Sequence, residues 1–327
     1  MDKINDNTPY DDVYRTMLND CTELIIPVVN KMFLENYTGK EPVVLLPEIH
    51  FMNQQDGDTK EKITDRCFEI RSELPRKFHI ECQSTPDGSM AIRFFEYDTQ
   101  IALDQGELEN HRLTLRFPHS GVLYLRHTSK TPDNMEIVLD TPGGMITYTI
   151  PIMRVQHYSI EEIFQKKLLF LLPFHIFRYE AYFKNYETSK EKLEELTQTY
   201  RMIRKRLDTL CQNGEISEYV KCTIIDMTKR VIRHIAANYE QVRKGVNNEM
   251  GGKVLEHEAK TILKRGILQS LINMVIKKIQ KGYSVPEIAN QLEESENNIQ
   301  KIYDVIIESG TDASLDEIID KVMEIKK

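Results

Sequence analysis

Ile63-Thr64-Asp65-Arg66-Cys67-Phe68-Glu69-Ile70 and Phe78-His79-Ile80-Glu81-Cys82-Gln83 are the stretches whose reading decides the fold. Both read as strands, and Ser72-Glu73-Leu74-Pro75-Arg76 between them carries the Pro and polar residues of a turn. Strand side chains alternate with period two, so Glu81 and Gln83 share one face while Phe78, Ile80 and Cys82 share the other. Folding the hairpin about Glu73–Leu74 sets Asp65 opposite the Glu81–Gln83 segment, and opposed residues project from the same face. Two carboxylates held together on such a face repel one another unless a cation joins them. The spacing therefore predicts a divalent-cation site of the kind that serves hydrolysis.

Outward from this hairpin, Val13, Met17, Cys21, Leu24, Val28 and Met32 recur at helical spacing, with Pro27 as a kink or break. Pro42 to Phe51 reads as a strand and Gln54 to Thr59 as a polar loop. Thr85 to Ser89 is a turn and cap before a helix over Met90–Leu103, which places Arg93 and Tyr97 side by side at i and i+4. Short strands are predicted at Leu113–Phe117, Gly121–Arg126, Glu136–Asp140 and Ile146–Met153, with Pro142-Gly143-Gly144 as a turn between the last two. Beyond Ser159 the pattern is helical. Leu193, Leu196, Tyr200, Ile203, Leu207 and Leu210 form a seam for packing within the chain, and further helices are expected over Glu218–Tyr239 and Lys253–Lys281.

The Asp and the Glu81-Cys82-Gln83 triplet resemble the PD-(D/E)XK nuclease superfamily, in which an Asp and a Glu-x-Lys on neighbouring strands bind magnesium. The nearer match is its Rpn branch, the recombination-promoting nucleases also described as transposases, whose third motif usually reads Glu-x-Gln. Asp11-Asp12-Val13-Tyr14-Arg15 resembles the opening motif of that branch. Arg93 to Asp98 resembles its post-motif helix, and Leu168 to Phe174 its Leu-rich Pro-Phe segment. The resemblance covers the first half of the chain clearly and the rest loosely. It implies an α/β, restriction-endonuclease-like mixed-sheet core flanked by helices over residues 1–185. A helical region over 186–281 and a small tail over 282–327 would follow.

It also implies a magnesium- or manganese-dependent DNA endonuclease linked to recombination or mobile elements. Asp65, Glu81 and Gln83 would be catalytic, and Asp65, Glu81 and the backbone carbonyl of Cys82 would hold the metal. Asp11, Arg15, Glu23, Arg93 and Tyr97 are auxiliary candidates; each has the plainer reading of a solvated or packed helix residue. Gln83 can orient water but carries no charge and no titratable proton, so water activation would rest on the metal. The first rival is a catalytically weak or inactive nucleic-acid-binding or assembly protein on the same fold.

Composition sets the outer limits. The chain has 327 residues, 40% hydrophobic, and a net charge of −8, which disfavours a protein coated in phosphate-binding surface but permits a local basic groove. Arg201, Arg204, Lys205 and Arg206, with Lys229, Arg230 and Arg233 on the next predicted helix, are the densest basic cluster and the candidate nucleic-acid contacts. Five cysteines without a Cys-x-x-Cys suit a reducing cytoplasm, and no stretch is apolar enough to span a bilayer. No Gly-Lys-Ser/Thr phosphate loop is present, so no nucleotide cofactor is expected. The segment Ser284 to Ile302 has helix-turn-helix spacing with Ala289 at the contact, yet its second helix offers Glu296, Asn297, Asn298, Gln300, Lys301 and Asp304. An acidic helix repels phosphate, so protein contact, including a homo-oligomer through the helical C-terminal region, is expected before DNA reading.

Overall fold

The computed structural model describes residues 9–46, 50–55, 58–63, 67–85, 88–104, 106–129, 131–292, 294–310 and 314–325. It begins with helix α1 (Pro9–Asp20), a 3-10 turn (Thr22–Ile25) and α2 (Ile26–Phe33), with Pro27 in the first turn where its missing N–H is harmless. Strands β1 (Val43–Leu45), β2 (His50–Gln55), β3 (Asp58–Ile63), β4 (Cys67–Ile70) and β5 (Arg76–Gln83) precede helix α3 (Met90–Leu103). Then come β6 (Glu107–Glu109), β7 (Arg112–Thr114), β8 (His119–Tyr124), β9 (Asn134–Thr141) and β10 (Gly144–Arg154). The rest is helical: α4 (Ile160–Gln165), α5 (Phe183–Thr188), α6 (Lys190–Gln212), α7 (Glu218–Ile235), α8 (Glu240–Glu249), α9 (Gly252–Ile279), α10 (Val285–Leu292), α11 (Glu296–Ser309) and α12 (Leu315–Ile325).

Six strands form one mixed sheet in the order β1-β4-β5-β8-β10-β9. The pairs β1–β4, β4–β5 and β9–β10 are antiparallel, whereas β5–β8 and β8–β10 are parallel. The chain is therefore α/β with a mixed sheet, the coarse architecture that the resemblance implies. Two expectations at its edge are corrected. Pro42–Phe51 is not one strand, because β1 ends at Leu45 and β2 pairs with β3 in a separate hairpin that takes in the predicted polar loop. The expected strand Ile63–Ile70 is divided between two sheets, Ile63 pairing with His50 in the β2–β3 hairpin and Cys67 with His79 in the main sheet; residues 64–66 lie outside the described residues.

The β4–β5 register is shifted by one residue from that of a hairpin folded about Glu73–Leu74: Cys67 lies opposite His79 and Phe68 opposite Phe78, which centres the turn on Glu73. The apolar faces decide this, since a one-residue slip exchanges the two sides of a strand. In the observed register Phe68 and Phe78 are both fully buried, their rings stacked at 5.8 Å. The slipped register would put a phenyl group on the polar face.

Helices α2 and α3 cover opposite faces of this sheet. On one side a side chain at Gly121 of β8 would meet Met32 Sδ at 2.3 Å and Phe33 at 3.0 Å, so only glycine admits α2 so closely. On the other, Met90 and Phe94 of α3 pack with Val122, Tyr124, Ile137 and Ile150. The Leu-rich segment Leu168 to Phe174 is buried and runs into a long 3-10 stretch, Leu169–Tyr182. The predicted seam of α6 buries Leu196, Tyr200, Ile203 and Leu207. It packs on α8, where Gly245 lies against Thr197 and Leu193.

Contacts divide the chain differently from the expected boundaries at 185 and 281. One unit comprises 1–216 with 223–252, and the other 217–222 with 253–327. Around the first, α5 spans the expected boundary itself, and α6 and α8 pack with it and with each other. The second moves because Leu268, Leu271, Ile272 and Val275 of α9 share one core with Ile288, Ile302 and Ile319 of the tail. Helices α10 and α11 match the predicted helix-turn-helix pair, with Ala289 buried between them, and α12 adds an unpredicted third helix.

Candidate functional site

Glu81 is 1% exposed. As predicted, it points away from the apolar face of β5, but α3 closes over it and no open sheet surface remains. Residues from β5, α3 and β8 build a continuous polar network around it. Arg93 Nη2 donates to Glu81 Oε2 at 3.0 Å, and Gln83 Nε2 donates to the same oxygen at 3.1 Å. His79 Nε2 lies 3.3 Å from Glu81 Oε1, and His79 Nδ1 lies 2.8 Å from Asp98 Oδ1. Ser120 Oγ donates to that same Asp98 oxygen at 2.7 Å. The rings of Phe94 and Tyr97 close around His79 at 5.2 and 5.9 Å, and Arg93 stands over the Tyr97 ring at 5.9 Å.

The local sequence explains why these groups meet. His79 and Glu81 are two apart on a strand and share a face, while Arg93, Tyr97 and Asp98 line the side of α3 that lies on it. Both imidazole nitrogens face carboxylates, so the ring carries two protons and donates in both directions. Burial alone would lower the pKa of His79; hydrogen bonds and charge from Asp98 and Glu81 outweigh it and raise it to about 10. Burial alone would raise the pKa of Glu81. His79, by hydrogen bond and charge, together with Arg93 and Gln83, holds it below the usual carboxylate range. The result is an ionised carboxylate inside the protein. Its way out runs through half-buried Gln83 and through Arg93, whose side chain is 27% exposed.

A divalent cation needs several oxygen ligands, and among the described residues no three His, Cys, Asp or Glu side chains are gathered to hold one. Glu81 offers one carboxylate; its expected partner Asp65 lies outside the described residues. Arg93 nevertheless tests the place, because its guanidinium already stands as a positive charge on Glu81 Oε2. A cation on Glu81 Oε2 would have to take the place of the Arg93 guanidinium, with the Cys82 carbonyl next along β5 as the other expected ligand among the described residues.

The structure thus brings together Glu81, Gln83, Arg93 and Tyr97 of the predicted set. Asp11 and Arg15 are half-buried on α1, and Glu23 is exposed on the 3-10 turn after it; none of the three has a recorded hydrogen bond or ion pair to Glu81. The basic cluster on α6 is largely engaged within the protein. Arg201 holds Glu249 through two bonds of 2.8 and 2.9 Å, Arg204 approaches Asp208, and Arg206 lies over the Phe164 ring at 5.0 Å. Lys205 is exposed, but Lys229 on α7 is buried, so these cations do not all face one surface.

Asp98, Ser120 and His79 are the members that sequence reasoning did not single out, although the period of two puts His79 on the face of Glu81. An aspartate within the apolar helix Met90–Leu103 was the available signal. Compared with known proteins, the chain matches no family model, no curated protein and no solved structure. Among the described residues, no helix is long and apolar enough to cross a membrane.

Proposed function

We propose that this chain is a divalent-metal-dependent phosphodiester hydrolase acting on DNA, on a core of the PD-(D/E)XK type. One observation carries the reading: Glu81 is buried, held ionised, and joined to the surface by Gln83 and Arg93. Burying a carboxylate costs several kcal/mol, roughly, before its partners offset it, and perturbed carboxylates of this kind concentrate at functional sites. The Glu-x-Gln motif and the helix after it supply these very residues, in the order the resemblance expects.

Glu81, the Cys82 carbonyl and Asp65 would hold magnesium or manganese. Such an ion lowers the pKa of a bound water and neutralises phosphate oxygens. Gln83 then orients water through its amide, and Arg93, once released from Glu81, can present paired donors to a phosphate. His79, fixed by Asp98, holds the Glu81 carboxylate in place and ionised. The link to recombination or mobile elements, the cytoplasmic location and self-association through the C-terminal helices belong to the same proposal.

A second reading is favoured by the same geometry. His79 and Arg93 already neutralise the Glu81 charge, as in a noncatalytic DNA-binding or assembly protein that keeps the network for structure. Supercoiled-plasmid cleavage with magnesium, manganese or EDTA separates the two. The hydrolase reading expects metal-dependent nicking or linearisation that disappears in Glu81→Gln and in Asp65→Asn. DNA retention without cleavage by the wild type would leave the second reading, and cleavage surviving both substitutions would end the first.

A further inference from the structure

A cavity of about 700 Å³ opens between α2, the loop Tyr37–Lys40, the end of α4 and the end of α6. It shares no lining residue with the Glu81 network, so it stands whether or not the chain cuts DNA. Four lysines line it, Lys31, Lys40, Lys166 and Lys167, against two carboxylates, Glu23 and Glu215. Among the lining residues the lysines outnumber the carboxylates, in a chain of net charge −8, although Glu162 and Glu41 stand just behind the rim. Lys167 reaches Glu215 at 3.4 Å and Lys166 reaches Glu162 at 3.4 Å, whereas among the described residues Lys31 and Lys40 form no ion pair. The four lysines are exposed while Leu24, Pro27, Phe164, Leu210 and Ile216, which also line the cavity, are buried or half-buried, giving a charged rim and an apolar floor.

The rim is held in place. Asn30 clamps the loop in both directions, donating from Nδ2 to Tyr37 O at 2.8 Å and accepting from Tyr37 N at 2.9 Å. The Glu41 carboxylate gathers the N–H groups of Thr38, Gly39 and Lys40 at 2.7, 2.9 and 3.1 Å. Helix α4 ends in a Schellman motif, with Leu168 N on Ile163 O at 2.8 Å and Lys167 N on Phe164 O at 3.2 Å. That motif needs a left-handed residue, normally glycine, and here Lys167 takes it with φ +56°. Lys167 thus keeps a strained conformation, where glycine would be easier, at the rim of the cavity.

We propose that this cavity binds an organic phosphate: the lysines take the phosphate and the floor takes an apolar or aromatic body. The test titrates AMP, adenosine and inorganic phosphate into the full-length protein by calorimetry at low salt and at about 0.5 M salt, where exposed charges are screened. AMP should bind about tenfold tighter than either fragment and weaken at high salt. Lys167→Gly should lower AMP affinity about three- to tenfold while the melting temperature holds or rises, since glycine suits the left-handed position. Lys31→Glu should weaken AMP at least as much. Absence of AMP binding, equal affinity for inorganic phosphate or adenosine, or full affinity in both variants would overturn the proposal.

Discussion

The two units of this chain solve burial in opposite ways. In the first, the interior holds His79, Glu81, Asp98 and His175 along with its aromatic and aliphatic core; the buried polar residues recorded among the described positions all fall in that unit. In the second, the core is aliphatic throughout, built from leucine, isoleucine, valine and one alanine. Apolar burial is non-directional and tolerates substitution of similar volume, whereas a buried charge is stable only while every partner stays in place. The contrast places the buried charged network in the first unit and an aliphatic core in the second. The outward face of α11 exposes Glu296, Asn297 and Asp304.

The largest expected break comes from removing the centre of the polar network. His79→Leu leaves Glu81 and Asp98 buried without their shared cation and should cost about 3–5 kcal/mol. Amide hydrogen exchange would show the loss across β5, α3 and β8 while residues 265–325 keep their protection; equal loss in both units would erase the contrast. Next in size, Ile302→Ala in the second core should cost about 2–5 kcal/mol by leaving a cavity, with exchange rising in α9–α12 and little dependence on pH.

The two units should also differ in how pH acts on them. His175 is 1% exposed, and neither ring nitrogen has a hydrogen-bond partner among the described residues; burial, then Arg178, pushes its pKa down to about 3. Its unfolded form binds a proton below about pH 6.5, so the first unit should lose stability as pH falls from there toward 3. His79 acts with the opposite sign. With a folded pKa of about 10, its contribution is complete below about pH 6.5 and lost as pH rises through 10. Urea denaturation followed by exchange across pH 4 to 10 should give a dome for the first unit and a flatter line for the second. His175→Met should flatten the acid side alone.

Two smaller effects sharpen the functional half of the comparison. If Arg93 holds the place of a metal on Glu81, Arg93→Ala should bind magnesium more tightly by calorimetry yet cleave DNA about tenfold more slowly or worse. Weaker metal binding in that variant would show the arginine to be a support rather than a competitor. Smallest of all, Lys301→Glu on α11 should change duplex affinity by less than about twofold across several salt concentrations. This substitution is a cleaner probe than deleting 282–327, because that deletion would strip the α9 side of a shared core.

Much of this architecture is local in origin and was legible from the chain alone. Period-two alternation identified β5 and placed Glu81 with Gln83 opposite Phe78, Ile80 and Cys82. Helical spacing identified α3 and set Arg93 beside Tyr97, and the α6 seam and the α10–α11 pair followed from the same periodicity. Tertiary structure decided what local pattern cannot carry. The β4–β5 register followed from Phe68 meeting Phe78, a contact between strands and not a property of either one. Glu81 became a buried member of a network because α3 folded over the sheet and brought Asp98 to His79 across 19 positions of sequence. Periodicity shows which face a side chain takes; which charges that face will meet is fixed only when distant elements close on each other, where low dielectric makes each partner count.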